Sequence, residues 1–200
     1  MLLTKKKRQE YLQYLGFYTG KIDGKEGPLT KKAYKKLQDT YFIRKKDKDG
    51  KYGKNTDTLL RNAYKVKYYC KDFELKEFMC KCKGKYCTGY PAELDKDLLI
   101  YTQDVRDENG ATKIESGLRC TTHNKKVGGV AGSKHTKGKA VDFQNAKVCK
   151  SMTTKKKFIN EYILKTEANY SYTNGYARTK KKTTYPVWKD MSNSVHIDVK

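Results

Sequence analysis

Residues 133–143 read S-K-H-T-K-G-K-A-V-D-F, and residues 194–199 read S-V-H-I-D-V. Between them they hold two of the three histidines in the chain, each followed at short range by an aspartate. His135 and Asp142 stand seven residues apart. That is about 23 Å on a straight strand at ~3.3 Å per residue, and about 10 Å on a helix. Neither spacing lets both side chains reach one ion at ~2.0–2.2 Å. The segment must therefore fold back, and Gly138 can supply the bend. Beyond it, A-V-D-F reads as a strand with Val141 and Phe143 on one face and Ala140 and Asp142 on the other. In the second stretch Val195, Ile197 and Val199 share one face, and His196 and Asp198 share the other. If both strands lie in one sheet, Asp142, His196 and Asp198 converge, and His135 leans in from its loop. One carboxylate, two imidazoles and a water make an ordinary catalytic zinc set. The alternative is an exposed polar sheet face with no ion.

The rest of the chain narrows the context. Its 200 residues fit one large domain or two small ones. A formal charge of +23, from 45 Lys and Arg against 22 Asp and Glu, selects partners rather than a fold. The lysines are scattered in runs such as 5–7, 155–157 and 180–182. No single basic arm stands out, which weakens a nucleic-acid reading and leaves anionic wall polymers, an anionic surface, or a merely solvated Lys-rich exterior. No apolar run approaches the roughly 20 residues of a membrane span. The start, M-L-L-T-K-K-K-R, lacks the apolar core of a secretory signal. The expectation is a protein made in the cytoplasm; if it works outside the membrane, something else must release it. Without a secretory signal, disulfides are not the default for the six cysteines. C-K-C-K-G-K-Y-C gathers Cys80, Cys82 and Cys87, which could hold a structural zinc with Cys120 or Cys70 as fourth ligand. Buried free thiols are the alternative.

Along the chain, D-G-K-E-G-P-L-T (23–30) recurs as D-G-K-Y-G-K-N-T (49–56). Each copy is a Gly-rich turn before a helix. Ala33, Leu37 and Tyr41 recur at helical spacing after the first copy, and Leu59, Leu60 and Ala63 after the second. Tyr11, Leu12, Tyr14 and Leu15 suggest a helix ended by Gly16. Further helices are expected over 72–79, 91–107 and 154–165, with strands over 113–117, 139–144 and 194–199. The fold class is α+β: a small three-helix N-terminal domain, then a mixed α+β domain with a central antiparallel sheet.

Two resemblances sharpen this reading. L-Q-Y-L-G-F-Y-T-G-K-I-D-G-K-E-G-P-L-T-K-K-A-Y-K-K-L-Q (12–38) resembles the peptidoglycan-binding domain of cell-wall hydrolases. S-G-L-R-C-T-T-H-N-K-K-V-G-G-V-A-G-S-K-H-T-K-G-K-A-V-D-F (116–143) resembles the zinc D-Ala-D-Ala carboxypeptidase family, which includes bacteriophage L-alanyl-D-glutamate endopeptidases. That likeness covers about 73–199. It implies a metal set of His135, Asp142 and His196. It also implies a substrate-facing Arg119, whose planar fork suits a peptide carboxylate or carbonyl, and a Ser133 near the bound substrate. His123 is read as ordering its loop with Asn124, not as a ligand. Several family members carry an acid three residues before the last His. Here Asn193 stands there and cannot accept a proton from water. Asp198 is the first candidate for the base, its alternative role being to orient His196. Asp190 is a weaker candidate.

Taken together, residues 1–67 are expected to be a peptidoglycan-binding helical domain and 68–200 a zinc peptidase domain of an endolysin or autolysin. The expected cofactor is one catalytic zinc, besides the structural zinc at the cysteines. The expected partner is peptidoglycan, with anionic wall polymers as a second; neither nucleic acid nor a membrane span is expected, and the chain is expected to be a monomer. A non-catalytic wall-binding protein that keeps the peptidase fold is the alternative, and a nucleic-acid binder a third class suggested by charge alone.

Overall fold

The computed structural model describes residues 1–166, 170–185, 191 and 193–200. Three helices open the chain: α1 (Lys5–Tyr14), α2 (Pro28–Tyr41) and α3 (Lys54–Tyr69). The Thr4 hydroxyl caps α1 by accepting from the Lys7 N–H. The chain then leaves α1 through Gly16 at φ +82°, a left-handed conformation that glycine adopts without steric cost. The sequence repeat is also a structural repeat. Gln9 on α1 donates through Nε2 to Asp23 Oδ1 (3.0 Å) and the Lys25 carbonyl (2.9 Å), and its Oε1 accepts from the Gly24 N–H (2.8 Å). Gln38 on α2 does the same to Asp49 (3.1 Å), Lys51 (2.9 Å) and Gly50 (2.7 Å). Each Asp-Gly turn is thus closed by a buried glutamine from the helix before it.

The stretch after α3 departs from expectation. The helix expected over 72–79 shrinks to a 3-10 turn, Leu75–Phe78. Its ends are held in other geometry: the Asp72 N–H donates to Gln103 Oε1, and Met79 is extended so that the Cys80 N–H can reach the Gly89 carbonyl. The helix expected from residue 91 begins later, as α4 (Lys96–Asn109), capped by the Asp95 carboxylate. Residues 92–94 are instead used for docking. Asn62 of α3 donates to the Ala92 carbonyl (2.9 Å) and accepts from the Leu94 N–H (2.7 Å).

The strands are β1 (Thr112–Ser116), β2 (Ala140–Asn145), β3 (Ser171–Thr173), β4 (Tyr176–Arg178), β5 (Thr183–Thr184) and β6 (Val195–Asp198). They form one six-stranded antiparallel sheet in the order β1-β2-β6-β3-β4-β5. Helices α5 (Thr121–Lys126) and α6 (Met152–Lys165) complete the fold. The expected central antiparallel sheet is present, and its middle strands are the two stretches singled out by their His and Asp residues. β2 is buried at five of its six positions, not half-exposed as plain alternation suggests. Val141, Phe143, Val195 and Ile197 join Leu98, Leu99, Ile159 and Ile163 in a core that also includes Leu12, Leu37 and Leu60 of the opening helices. Among the described residues, no helix is long and apolar enough to cross a membrane.

Candidate metal centre

β2 and β6 pair so that Asp142 lies directly opposite His196 and Ala140 opposite Asp198. Strand alternation then puts Asp142, His196 and Asp198 on one face, as read from the sequence. His135 arrives from a 3-10 turn, Lys134–Lys137. The turn ends at Gly138, at φ +72°, where a Cβ would sit 2.0 Å from the Glu93 carbonyl oxygen. Only glycine allows this reversal at this approach, and the fold-back that brings His135 over β2 depends on it.

One ligand atom from each of His135, Asp142 and His196 lies within 4.8 Å of the others, and all three residues are buried. The Asp142 Oδ1 is shared: His196 Nδ1 approaches at 2.7 Å and His135 Nε2 at 3.3 Å. Its Oδ2 accepts from Arg119 Nη2 at 2.6 Å. Burial alone would raise the Asp142 pKa, but its histidine surroundings outweigh burial and hold the carboxyl well below the usual carboxylate range, with His196 as the donor at 2.7 Å. Burial opposes protonation of His196 as well, yet its bonds to Asp142 and Asp198 prevail and raise its pKa. At His135 burial wins over the pull of Asp142 and pushes the imidazole toward neutrality.

His135 provides the test of whether a cation fits. Its Nδ1 lies 2.7 Å from the Gly117 carbonyl, which can only accept, so the neutral ring carries its proton on Nδ1. The bare Nε2 then points at an ionised carboxylate and has no hydrogen-bond partner among the described residues. Two acceptors facing each other in a buried site are costly, and a cation between them removes the conflict. The donor set, two imidazoles and a carboxylate, suits zinc.

The other singled-out residues fall around this group. Arg119 donates from Nε to Ser116 Oγ (2.8 Å) as well as pairing with Asp142. Asp198 is buried, with Oδ2 3.5 Å from His196 Nε2 and Oδ1 unpartnered among the described residues. Ser133 precedes the turn carrying His135; its carbonyl accepts from the Thr136 N–H and hydroxyl, and its own hydroxyl makes no hydrogen bond among the described residues. His123 stays outside the group, and the buried Asn124 beside it donates to the Val130 carbonyl. Asn193 is exposed, and Asp190 lies outside the described residues. A second group, Cys80, Cys82, Cys87 and Cys120, could also hold a metal. The structure therefore brings in Cys120 as the fourth cysteine. Cys70, the other candidate, ends α3 and is buried in the main core.

Two contributors were missed in the sequence. The Gly117 carbonyl orients His135, and no side-chain pattern marks a carbonyl. Tyr172 stands opposite His196 in the β3–β6 pairing and stacks on its imidazole, with ring centroids 4.2 Å apart and an interplanar angle of 18°. The alternation Tyr170-x-Tyr172 was the available signal.

An antiparallel sheet that buries a His-Asp-His group able to hold a metal ion defines an α+β protein with a candidate metal centre. The family profile described as Peptidase M15 matches residues 71–198, and the chain belongs to that family. No curated protein matches the chain.

Proposed function

We propose that the chain is a peptidoglycan hydrolase that cleaves the stem peptide with zinc held by His135, Asp142 and His196. The single observation that carries this reading is the bare His135 Nε2 facing the ionised Asp142 in a buried site of a Peptidase M15 domain. Zinc bound there supplies Lewis-acid polarisation of a peptide carbonyl and acidifies a water. The remaining work falls to the protein. The Gly117 carbonyl fixes the His135 tautomer, and Tyr172 holds the plane of His196. Arg119 steadies Asp142 and turns the rest of its planar donor set to a peptide carboxylate or carbonyl, with Ser133 near the bound substrate. Asp198 takes the proton at Oδ1, the buried oxygen that has no partner among the described residues. Residues 1–67 serve as the wall-binding unit and 68–200 as the peptidase, so that tethering raises the local concentration of enzyme at an insoluble substrate. The charge of +23 supports attraction to anionic wall polymers. An endolysin or autolysin role follows.

The test is mass spectrometry of peptides released from purified peptidoglycan, with His135→Ala as control. Release of new stem-peptide ends by the wild type, lost in a variant that still binds walls, supports the reading. Unchanged release by His135→Ala refutes the metal assignment. A non-catalytic wall binder is the second reading, favoured by Asn193 in place of an acid and by the ion pair that engages Arg119. It predicts wall binding without any peptide release.

A further inference from the structure

The second metal-capable group lies in a different part of the molecule from the histidines and has a different chemistry. Residues 79–95 contain no helix or strand. Cys80 follows the 3-10 turn Leu75–Phe78. Cys82 and Cys87 flank a tight reversal through Lys83 (φ +51°) and Gly84 (φ +79°), and Cys120 stands at the start of α5, next to Arg119. Cys80, Cys82 and Cys120 form a small buried cluster of their own, set apart from the main core, with the partly buried Cys87 and Tyr86 against it. The stretch 80–87, which lacks regular structure and whose cysteines pack only with one another and Tyr86, needs another source of order.

The geometry points to a metal. All four Sγ atoms lie within 4.8 Å of one another, and Cys82 and Cys87 are 3.5 Å apart. Tetrahedral zinc with Zn–S of about 2.3 Å requires sulfurs roughly 3.8 Å apart, which falls between those figures. A disulfide needs about 2.05 Å, and all six cysteines are free. Two sulfurs already accept backbone donors: the Cys120 N–H reaches Cys80 Sγ at 3.3 Å, and the His123 N–H reaches Cys120 Sγ at 3.4 Å. Such bonds favour thiolate over thiol and orient metal-bound sulfur. Four thiolates around one divalent ion leave a net negative charge. Lys81, Lys83 and Lys85 lie between Cys80 and Cys87 in sequence, and Lys125 and Lys126 follow on α5.

We propose that Cys80, Cys82, Cys87 and Cys120 form a closed four-thiolate zinc site that clasps the 80–87 segment to the strand-to-helix connection carrying Gly117 and Arg119. With four protein ligands this site has no open position, so its role is structural. The connection it grips is the one that sets the other centre. The Leu118 N–H donates to the Phe78 carbonyl, the Arg119 N–H to the His135 carbonyl, Gly117 accepts from His135, and Arg119 holds Asp142. The thiolate site thereby positions residues of the histidine site without touching substrate. It stands on its own geometry and does not depend on the peptidoglycan reading.

The experiment uses the full chain, purified under reducing conditions and loaded with cobalt. His135→Ala/His196→Ala is expected to keep a single tightly held equivalent and the near-ultraviolet thiolate-to-cobalt charge-transfer band. Cys82→Ser/Cys87→Ser is expected to lose that band. Because the cysteine variant could fail to fold, the wild-type zinc protein is also titrated with a mercurial, which should release one zinc as four thiols react. The same titration should raise hydrogen exchange at residues 117–120. Absence of the band in the histidine variant, reaction of all six thiols without zinc release, or two disulfides found by mass spectrometry in freshly reduced and repurified protein would each overturn the proposal.

Discussion

The Gly117 carbonyl accepts the Nδ1–H of His135 at 2.7 Å and so aims a bare Nε2 at the Asp142 carboxylate, 3.3 Å away. A backbone oxygen on one element thereby decides which nitrogen of a distant histidine is available to a cation. The Gly117 position is itself constrained. A Cβ there would lie 2.6 Å from both the Cα and the carbonyl oxygen of Phe78. Backbone atoms cannot swing aside as a flexible side chain does, so the Gly117 segment has to move.

Gly117→Ala should therefore act on the metal more than on the fold. We expect a stability loss of about 1–3 kcal/mol from overpacking. Zinc affinity should weaken by about 10–100-fold, the usual effect of disturbing the partner that orients a ligand. Urea denaturation of the metal-free protein and a competitive zinc titration measure the two effects separately. Unchanged zinc affinity would contradict the orienting role of this carbonyl.

Metal binding should also appear as stability. A ligand held only by the folded state, at a free concentration about 1,000 times its dissociation constant, adds about 4 kcal/mol. Thermal unfolding with and without zinc should show this gain in a chain whose four clustered cysteines are intact. His135→Ala/His196→Ala should retain only the share that belongs to the thiolate site. If the double variant gains as much as the wild type, the histidines hold no zinc.

Asp57 provides a pH dependence remote from either metal group. Its carboxylate accepts from the Leu3 N–H (2.7 Å), the Tyr52 hydroxyl (2.6 Å) and Arg61 Nε (2.7 Å), tying the chain start to α3. Burial opposes ionisation, but these three donors prevail and lower its pKa. The folded value lies below the unfolded one of about 3.9. Its stabilisation is thus complete above that pH and is lost as pH falls through the folded value. Asp57→Asn should cost about 1–3 kcal/mol at neutral pH and flatten the acid limb of stability against pH. An acid limb identical to the wild type would rule out this contribution.

The gathering of His135, Asp142 and His196 was legible because strand alternation is a hard geometric rule. Once 140–143 and 195–198 are neighbouring strands, Asp142, His196 and Asp198 have one face available. Gly138 marked the reversal that brings in His135. What was not legible depended on partners distant in the chain. Residues 91–95 look helical alone but dock on Asn62 and Gly138 instead. Strands β3 to β5 have only two or three residues each, too few for a period to register. Tyr172 lies on one of them, marked by nothing more than the Tyr170-x-Tyr172 alternation. Cys120 and Cys70 were equivalent in spacing arguments, and only the fold separates them. The 23–30 and 49–56 repeat was visible in its turns, but not in the glutamines that close them, since Gln9 and Gln38 precede the repeated motif.

Those glutamines yield a prediction specific to the repeat. Gln38 is buried and uses both ends of its amide, donating to Lys51 and Asp49 and accepting from Gly50. Gln38→Ala removes the Gly50 N–H's acceptor and leaves Asp49 and the Lys51 carbonyl with only the Lys51 N–H and the Thr56 hydroxyl, and should cost about 1–3 kcal/mol. Gln38→Glu should cost more at neutral pH, because a carboxylate cannot donate to the Lys51 carbonyl and would face Asp49. Gln9→Ala and Gln9→Glu should follow the same order. Equal stability of the Ala and Glu variants in urea denaturation would show that the donor end of the amide is unimportant.

Asp198 separates two roles that a static site superimposes. Its Oδ2 lies 3.5 Å from His196 Nε2, consistent with orienting the ring, while the buried Oδ1 has no partner among the described residues. Asp198→Asn preserves the shape and the capacity to accept from the imidazole, but it removes the capacity to take a proton at neutral pH. If Asp198 is the base, release of peptides from purified walls should fall by about 100-fold or more, while zinc affinity and wall binding stay within a few-fold of the wild type. If Asp198 only orients His196, zinc affinity and peptide release should fall together, by about 10–100-fold. Activity retained at the wild-type level, with zinc still bound, would remove Asp198 from both roles and leave the base to be sought on another side chain.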